Sequence, residues 1–230
     1  HINVEHYDKL RQLARHRIKH HSNTLNEREF DTKTFHERLF VLLLRYKIFV
    51  GTGFQAALLP GVFRILSEDF GVYCEVFASP LNSHFPHFCS AFPDTDEYFG
   101  SLGSFFDFKP IDGSYEVNPP FVKSVCQKMM DHMEVLLKLA EDSKRALNFV
   151  IIVSTSCDGI ERLSSSPWNR HSMRISRTEH FYIEGAQHIV SCGNGKTKSK
   201  SKTKKRKRHS SSSNNIKLHS LGKMGKMRVS

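Results

Sequence analysis

The spacing of apolar residues follows two different periods, and the change falls near Gly71. Before it the spacing is helical. Residues 4 to 21 set Leu10, Leu13 and Ile18 among His, Arg and Lys, which predicts a basic, weakly amphipathic helix. Phe35, Leu39, Leu42, Leu43 and Tyr46 form one stripe. They predict a second helix from about Lys33 to Phe49, capped by Asp31 or Thr32. Gly51-Thr52-Gly53 reads as the turn that ends it, since it follows a helix rather than a strand. Pro60 near a first turn and Gly71 just past a last one predict a third helix, from Pro60 to Asp69.

After Gly71 β-branched and aromatic residues dominate. "VYCEVFAS" (72–79) predicts a buried strand, "SFFDF" (104–108) and "SYEV" (114–117) two shorter ones. From Val122 to Glu141 apolar residues recur at 122, 125, 126, 129, 133, 136, 137 and 140, the pattern of an amphipathic helix. "NFVIIVST" (148–155) is a continuous apolar run of the kind covered on both faces of a parallel sheet. "FYIEGAQHIV" (181–190) is a further strand candidate, and 164–177 reads as a loop in which Trp168 is an anchor. Strand, turn, helix and buried strand in that order predict a βαβ unit and an α/β fold with a mainly parallel sheet, preceded by helices. The expected organisation is a helical segment over 1–70, a core over 71–192 and a disordered basic tail over 193–230.

Charge sharpens this division. Lys and Arg number 34 against 23 acids, a formal net charge of +11. The ten Lys and three Arg after residue 195 carry the imbalance, because the rest holds 21 bases and 23 acids. "KKRKRH" (204–209) suits nuclear import or a nonspecific, salt-sensitive grip on nucleic acid. Five cysteines at 74, 89, 126, 157 and 192 form no disulfide framework by spacing, so reduced thiols are expected. His84, His87 and Cys89 fit no zinc pattern, and no metal is expected. "LFVLLL" (39–44) is far too short to span a membrane. The first residues show no signal-peptide pattern and no initiating Met, which predicts a piece of a longer protein.

One short motif carries chemistry. Asn118-Pro119-Pro120-Phe121 directly follows a predicted strand, and two prolines cannot continue a ladder. In open parallel sheets ligands sit beyond the carboxyl ends of the strands. There the Asn118 side-chain oxygen can accept one hydrogen of a base's amino group. The Pro119 carbonyl can accept the other, and Phe121 can stack on the ring, a contact worth roughly 1–3 kcal/mol. Two such acceptors gain strength as positive charge develops on the nitrogen, so they favour transfer of an electrophile to it. On the four letters alone, a turn that merely ends a strand remains open.

Longer segments carry a resemblance. "FGVYCEVFASPLNSHF", "CSAFPDTDEYFGSLGSFFDFKPIDGSYEVNPPF" and "GAQHI" resemble the catalytic region of the cap-specific adenosine N6-methyltransferase family, also called phosphorylated CTD-interacting factor, over roughly residues 35 to 190. The resemblance implies a Rossmann-like methyltransferase core and S-adenosyl-L-methionine as methyl donor. It also implies capped mRNA beginning with 2′-O-methyladenosine as substrate. A nuclear location and an encounter with the phosphorylated tail of RNA polymerase II are implied too. Asn118, Pro119, Pro120 and Phe121 match the family's NPPF and would hold the target adenine. By position, Ser79, Pro80 and Asn82 would border the methionine part of the donor, and Asp107 its adenine. Three features depart from the family: "STS" (154–156) replaces a Pro-Glu-Trp type of segment, Lys123 stands where an acid is expected, and the pattern ends near Ile189. These departures keep an inactive homologue, serving as an RNA or polymerase adaptor, as the alternative. Methylation of DNA or uncapped RNA is a third reading.

Overall fold

The computed structural model describes residues 2–21, 30–47, 56–155, 157, 159–176, 178–180, 182–184 and 216–222. Helices α1 (Val4–His21) and α2 (Thr32–Tyr46) form where the apolar stripes predict them. Asp31 caps α2, its carboxylate accepting the Lys33 and Thr34 N–H groups at 3.1 and 2.9 Å. Leu10, Leu13, Phe35, Leu39 and Leu42 pack with Phe88 and Phe99 into one apolar cluster. That cluster fixes both helices against one edge of the sheet. Helix α3 (Pro60–Phe70) opens with its proline and closes at Gly71, whose φ of 63° is the left-handed conformation that glycine adopts without strain.

Six strands form the main sheet: β2 (Val72–Ala78), β3 (His87–Ser90), β4 (Gly113–Val117), β5 (Leu147–Ser154), β6 (Asn169–Ile175) and β8 (Ile216–Gly222). Their order is β3-β2-β4-β5-β8-β6. The pairings β2 with β3, β2 with β4 and β4 with β5 are parallel, and β8 runs antiparallel to both β5 and β6. The sheet is therefore mostly parallel. Two three-residue strands, β1 (Ala56–Leu58) and β7 (Tyr182–Glu184), pair antiparallel apart from it. Helix α5 (Lys123–Asp142) is the crossover from β4 to β5. Strand β5 shows why its sequence is apolar throughout. Phe149, Ile151 and Val153 meet Met129, Met133, Leu136 and Leu137 of α5 on one face. Val150 and Ile152 meet Phe63 and Leu66 of α3 on the other. Short helices α4 (Pro93–Asp96) and α6 (Ile160–Ser165) complete the core.

Several expectations are corrected. "SFFDF" is a turn rather than a strand: the Asp107 and Phe108 N–H groups both donate to the Ser104 carbonyl at 3.1 Å. Phe105 alone of its aromatic run is drawn fully into the core, against Phe77 and Phe149, so no alternation develops. The loop expected over 169–177 holds β6. The first 70 residues include β1 as well as helices. The tail expected to be disordered over 193–230 contains β8, which pairs with β5 over seven residues, from Asn148 with Gly222 to Ser154 with Ile216. Leu221 and Leu218 join the cores on the two faces of the sheet, which is the reason this segment orders. The sheet thus continues past the point where the family pattern ends. Gly51-Thr52-Gly53, "KKRKRH" and residues 185–190 lie outside the described residues.

The cysteines also differ from expectation. Cys126 on α5 and Cys157 after β5 meet sulfur to sulfur across a separation of 31 residues, because α5 and β5 pack side by side. Cys74 and Cys89 are buried free thiols. No described helix is long and apolar enough to cross a membrane.

Candidate active site

The chain runs from β2 outward to β3 and returns past β2 to β4, so its winding direction reverses between β2 and β4. A cavity of about 220 Å³ opens at the carboxyl ends of these strands, where such a reversal leaves room for a ligand. Phe77, Ala78, Ser79 and Asn82 line it from the end of β2, Ser90 and Ala91 from β3, Ser104 to Phe106 from the following turn. Pro120 and Val125 close it from the side of β4 and α5, and Tyr46 reaches it from α2.

Each border is built locally. After β2 the chain turns on Ser79-Pro80-Leu81-Asn82. The Asn82 side-chain oxygen accepts the Ser79 N–H at 2.8 Å and lies 2.9 Å from the Ser79 hydroxyl. The Ser79 carbonyl accepts the N–H of Asn82 and of Ser83, at 3.2 and 2.9 Å. This compact turn occupies the place that a glycine-rich loop takes in dinucleotide-binding sheets. Phe105 meets Phe77 edge-on with ring centres 5.2 Å apart, and Phe106 lies 5.9 Å from Phe77. Phe105 also touches the His132 ring at 4.9 Å, and His132 bonds the Phe108 carbonyl at 3.0 Å, which ties this aromatic wall to α5.

The Asn118-Pro119-Pro120-Phe121 segment leaves the end of β4 as irregular backbone. Pro119 is buried and fixes the path, while Asn118 is half-buried and Phe121 is 44% exposed. Among the described residues the Asn118 side-chain amide has no hydrogen-bond partner. The Pro120 carbonyl accepts the Val122 N–H at 2.7 Å, so the Pro119 carbonyl stands outside that turn. Of the residues expected at the site, Ser79, Asn82 and Pro120 share the cavity wall. Asn118, Pro119 and Phe121 flank it by chain continuity with Pro120. Pro80 is buried in the turn, and Asp107 is an exposed member of the 104–108 turn; neither is part of the lining.

Sequence reasoning missed Tyr46, Ser90 and Phe106 as cavity residues. Tyr46 read only as the last member of a core stripe, and Ser90 and Phe106 belong to no short motif. Behind Tyr46 lies Asp96, fully buried, with the Tyr46 hydroxyl donating to its Oδ2 at 2.5 Å. Burial pushes Asp96 up to about 6, against the hydrogen bonds from Tyr46 and Ser90. Burial and the nearby Asp96 charge raise the Tyr46 hydroxyl above its ordinary range. Trp168 packs on the α5 core and donates to Glu141 at 3.2 Å, as a loop anchor does. Among the described residues no three His, Cys, Asp or Glu side chains group to hold a metal, and His84 stacks on Phe63.

A sequence-family profile described as "Phosphorylated CTD interacting factor 1 WW domain" matches residues 9–185, more than three quarters of the chain. The chain belongs to the phosphorylated CTD interacting factor 1 family. The matched stretch holds all of β2 to α5, and with them the whole cavity wall. Its α/β architecture and single Trp are not those of a WW module, so the profile's name does not describe the domain seen here. Two curated relatives, from Mus musculus and Homo sapiens, are each 41% identical over 165 residues and carry the name mRNA (2′-O-methyladenosine-N(6)-)-methyltransferase. The aligned stretch is 67% of this chain and 23% of each relative, so the chain spans about a quarter of their length.

Proposed function

We propose that this protein transfers a methyl group from S-adenosyl-L-methionine to N6 of the cap-adjacent 2′-O-methyladenosine of mRNA, in the nucleus. The observation that carries the reading is the placement of Asn118-Pro119-Pro120-Phe121. It leaves the end of β4 beside the reversal point, with Pro120 on the cavity wall and the Asn118 amide without a hydrogen-bond partner among the described residues. The names of the relatives, and a sheet with one reversed strand between its last two parallel ones, agree with it. The residues present suit the donor. Phe77, Phe105 and Phe106 offer apolar surface to a purine, and Ser79, Asn82, Ser90 and Ser104 offer hydrogen bonds to its polar parts.

The donor supplies an electrophilic methyl on a sulfonium. The chain's own residues do the rest. Asn118 Oδ1 and the Pro119 carbonyl accept the two amino hydrogens of the target adenine. An arylamine lone pair is delocalised into the ring, and two acceptors on its hydrogens favour the pyramidal geometry that frees it. Their attraction grows as positive charge develops on nitrogen, so they bind the transition state more tightly than the ground state. Phe121 stacks on the flipped base and restricts its motion, which raises the effective concentration of the reacting atoms. No strong general base is required, because the methylated amine is acidic enough to release its proton to water. Recognition of the phosphorylated polymerase tail would reside in parts of the protein beyond these elements.

Lys123 and the Ser154-Thr155-Ser156 segment favour a second reading. Lys123 places a cation in the first turn of α5, which has no acidic residue to offset the helix dipole there. An inactive nuclear adaptor that kept the fold would tolerate this. One assay decides: labelled S-adenosyl-L-methionine with the full-length protein and RNA that begins with capped 2′-O-methyladenosine. Transfer that falls at least about 100-fold in Asn118→Ala, with an unchanged thermal melt, supports the enzyme. RNA binding without transfer in the wild type establishes the adaptor. Transfer that ignores the cap establishes the third substrate class.

A further inference from the structure

Helix α1 concentrates positive charge that most of the chain lacks. Outside the basic tail the protein holds 21 bases and 23 acids. Yet residues 9–21 include Lys9, Arg11, Arg15, Arg17 and Lys19 and no acid. The structure sorts these five by direction. Leu10, Leu13 and Ala14 are buried and set the inner face of the helix. Lys9 and Arg17 turn towards the body: Lys9 Nζ donates to the Leu81 carbonyl at 3.1 Å, and Arg17 pairs with Glu97 at 3.0 Å. Arg11, Arg15 and Lys19 follow one another at intervals of four, which puts them in a single row on the helix surface. Arg15 and Lys19 are exposed and Arg11 is half-buried. Arg11 and Lys19 make no hydrogen bond or ion pair among the described residues. The Arg15 guanidinium lies 4.8 Å over the Phe30 ring, a contact that holds its plane while its N–H edge remains able to bond. Like charges four residues apart repel and weaken a helix, so the row costs stability unless an anion uses it.

The course of α1 identifies that anion. Lys9 bonds Leu81 in the turn whose Ser79 and Asn82 line the cavity. The His16 ring meets that of His87, which opens β3 at the end away from the cavity, with 5.6 Å between centres. The helix therefore runs from the cavity rim down the β3 edge of the sheet, and the row runs with it. Neighbouring members are about 6 Å apart along the axis, and the row spans about 12 Å. That spacing is of the order of the step between phosphates in an extended strand. Resting on the reading of mRNA as substrate, we propose that Arg11, Arg15 and Lys19 bind the phosphodiester backbone of the RNA that continues past the modified nucleotide. Cations at phosphate spacing hold a backbone without reading its bases, so the grip is independent of sequence and weakens with salt. Because the body around the row is slightly acidic, the row also fixes where on the surface the strand lies.

The test is RNA binding by the full-length protein, read by fluorescence anisotropy between about 50 and 200 mM salt. One probe is capped 2′-O-methyladenosine carrying a single further nucleotide, and the other continues for about a dozen. At the lower salt the wild type should bind the longer probe at least about tenfold more tightly. Arg11→Gln/Arg15→Gln/Lys19→Gln should remove that advantage. It should also flatten the log–log salt slope of the longer probe by about 2, since each single-strand contact adds about 0.7. Binding of the short probe and of S-adenosylhomocysteine should change by less than about twofold, because these positions lie off the cavity wall. Arg11→Lys/Arg15→Lys keeps the charges and should keep the slope, and a thermal melt on each variant separates folding from binding. An unchanged slope in the triple variant overturns the proposal, as does equal weakening of both probes or a wild type that holds the two probes alike. A triple variant that loses an acidic phosphopeptide but keeps the longer RNA assigns the row to a protein partner, which also overturns it. A wild type that grips the longer RNA through the row but transfers no methyl supports the proposal and refutes the methyltransferase reading, which is a different failure.

Discussion

In one half of the main sheet, β3, β2 and β4 run parallel and end together at the cavity. In the other half, β8 runs against β5 and β6, and none of these three strands contributes to the cavity wall. The parallel half spends its strand ends on loops: Ser79 to Asn82, Ser90 and Ala91, and Asn118 to Phe121. The antiparallel half spends its residues on closure. Leu221 and Leu218 of β8 seal the two faces, while His219 is fully buried between them and bonds Ser172 of β6 at 2.7 Å. Parallel strands leave their carboxyl ends free because each crossover returns to the opposite end. A reversed strand needs no crossover helix and completes the sheet with few residues. Chemistry and closure are thus separated by strand direction.

Removal of 216–222 breaks the comparison most severely. It strips the ladder from β5, which lies at the centre of both cores, and exposes a long apolar edge. The truncated protein should lose cooperative unfolding and aggregate, as read by calorimetry and light scattering. A truncation that melts like the full chain would mean that β5 is covered in another way. Gly222→Ala is a gentler version. A methyl there would meet the Leu147 carbonyl at 2.5 Å and Asn148 Cα at 2.9 Å, both rigid backbone. We expect a loss of about 1–3 kcal/mol in denaturant unfolding, with the donor-binding constant unchanged because the cavity lies on the other half. Asn118→Ala should show the converse: transfer lost, stability kept.

Legibility in the sequence did not follow this division: β2, β4 and β5 were readable, whereas β3 in the parallel half and β6 and β8 in the other were not. Strands β2, β4 and β5 and helices α2, α3 and α5 announced themselves through long runs with one clear period and strong caps, as at Asp31, Pro60 and Gly71. Strand β8 alternates too, with Ile216 and Leu218, but it is seven residues long and follows a polybasic, Ser-rich stretch that masks its signal. Its order comes from β5 and β6, that is, from tertiary context. Strand β6 was hidden for a different reason: as an edge strand its middle residues are exposed on both faces, so no alternation is required. At the site, the Asn-Pro-Pro-Phe motif stood out because two prolines must end the strand and leave a polar amide and an aromatic ring at its carboxyl end. Tyr46, Ser90 and Asp96 did not, because their meaning lies in a three-dimensional meeting of α2, β3 and α4.

The smallest effect concerns the two halves of the carboxylate chemistry rather than of the sheet. Glu75 on β2 and Glu116 on β4 are register partners, both almost fully buried on the face opposite α5. Glu75 accepts the His84 and Phe85 N–H groups at 2.6 and 2.9 Å, yet burial still pushes it up to about 7. Burial, and then the charge of Glu75, raise Glu116 well above the ordinary carboxylate range. Lys9 and Cys74 are the other titratable groups that act on this pair, and Lys9, itself lowered to about 8 by burial, remains protonated below neutral pH. A carboxyl raised in the folded state holds a proton that the unfolded chain has lost. The folded state therefore binds more protons between about pH 4.5 and 7, and stability must fall as pH rises through that window. Asp96 adds to the slope in the same direction up to about 6. Glu116→Gln removes one of these titrating groups while keeping its shape. Thermal melts from pH 5 to 8 should show the wild type losing stability across the window and Glu116→Gln losing less, so that the variant is the more stable at pH 8. Parallel curves would mean that the pair is ionised and paired with Lys9 in the folded protein, and that its burial does not govern the pH response.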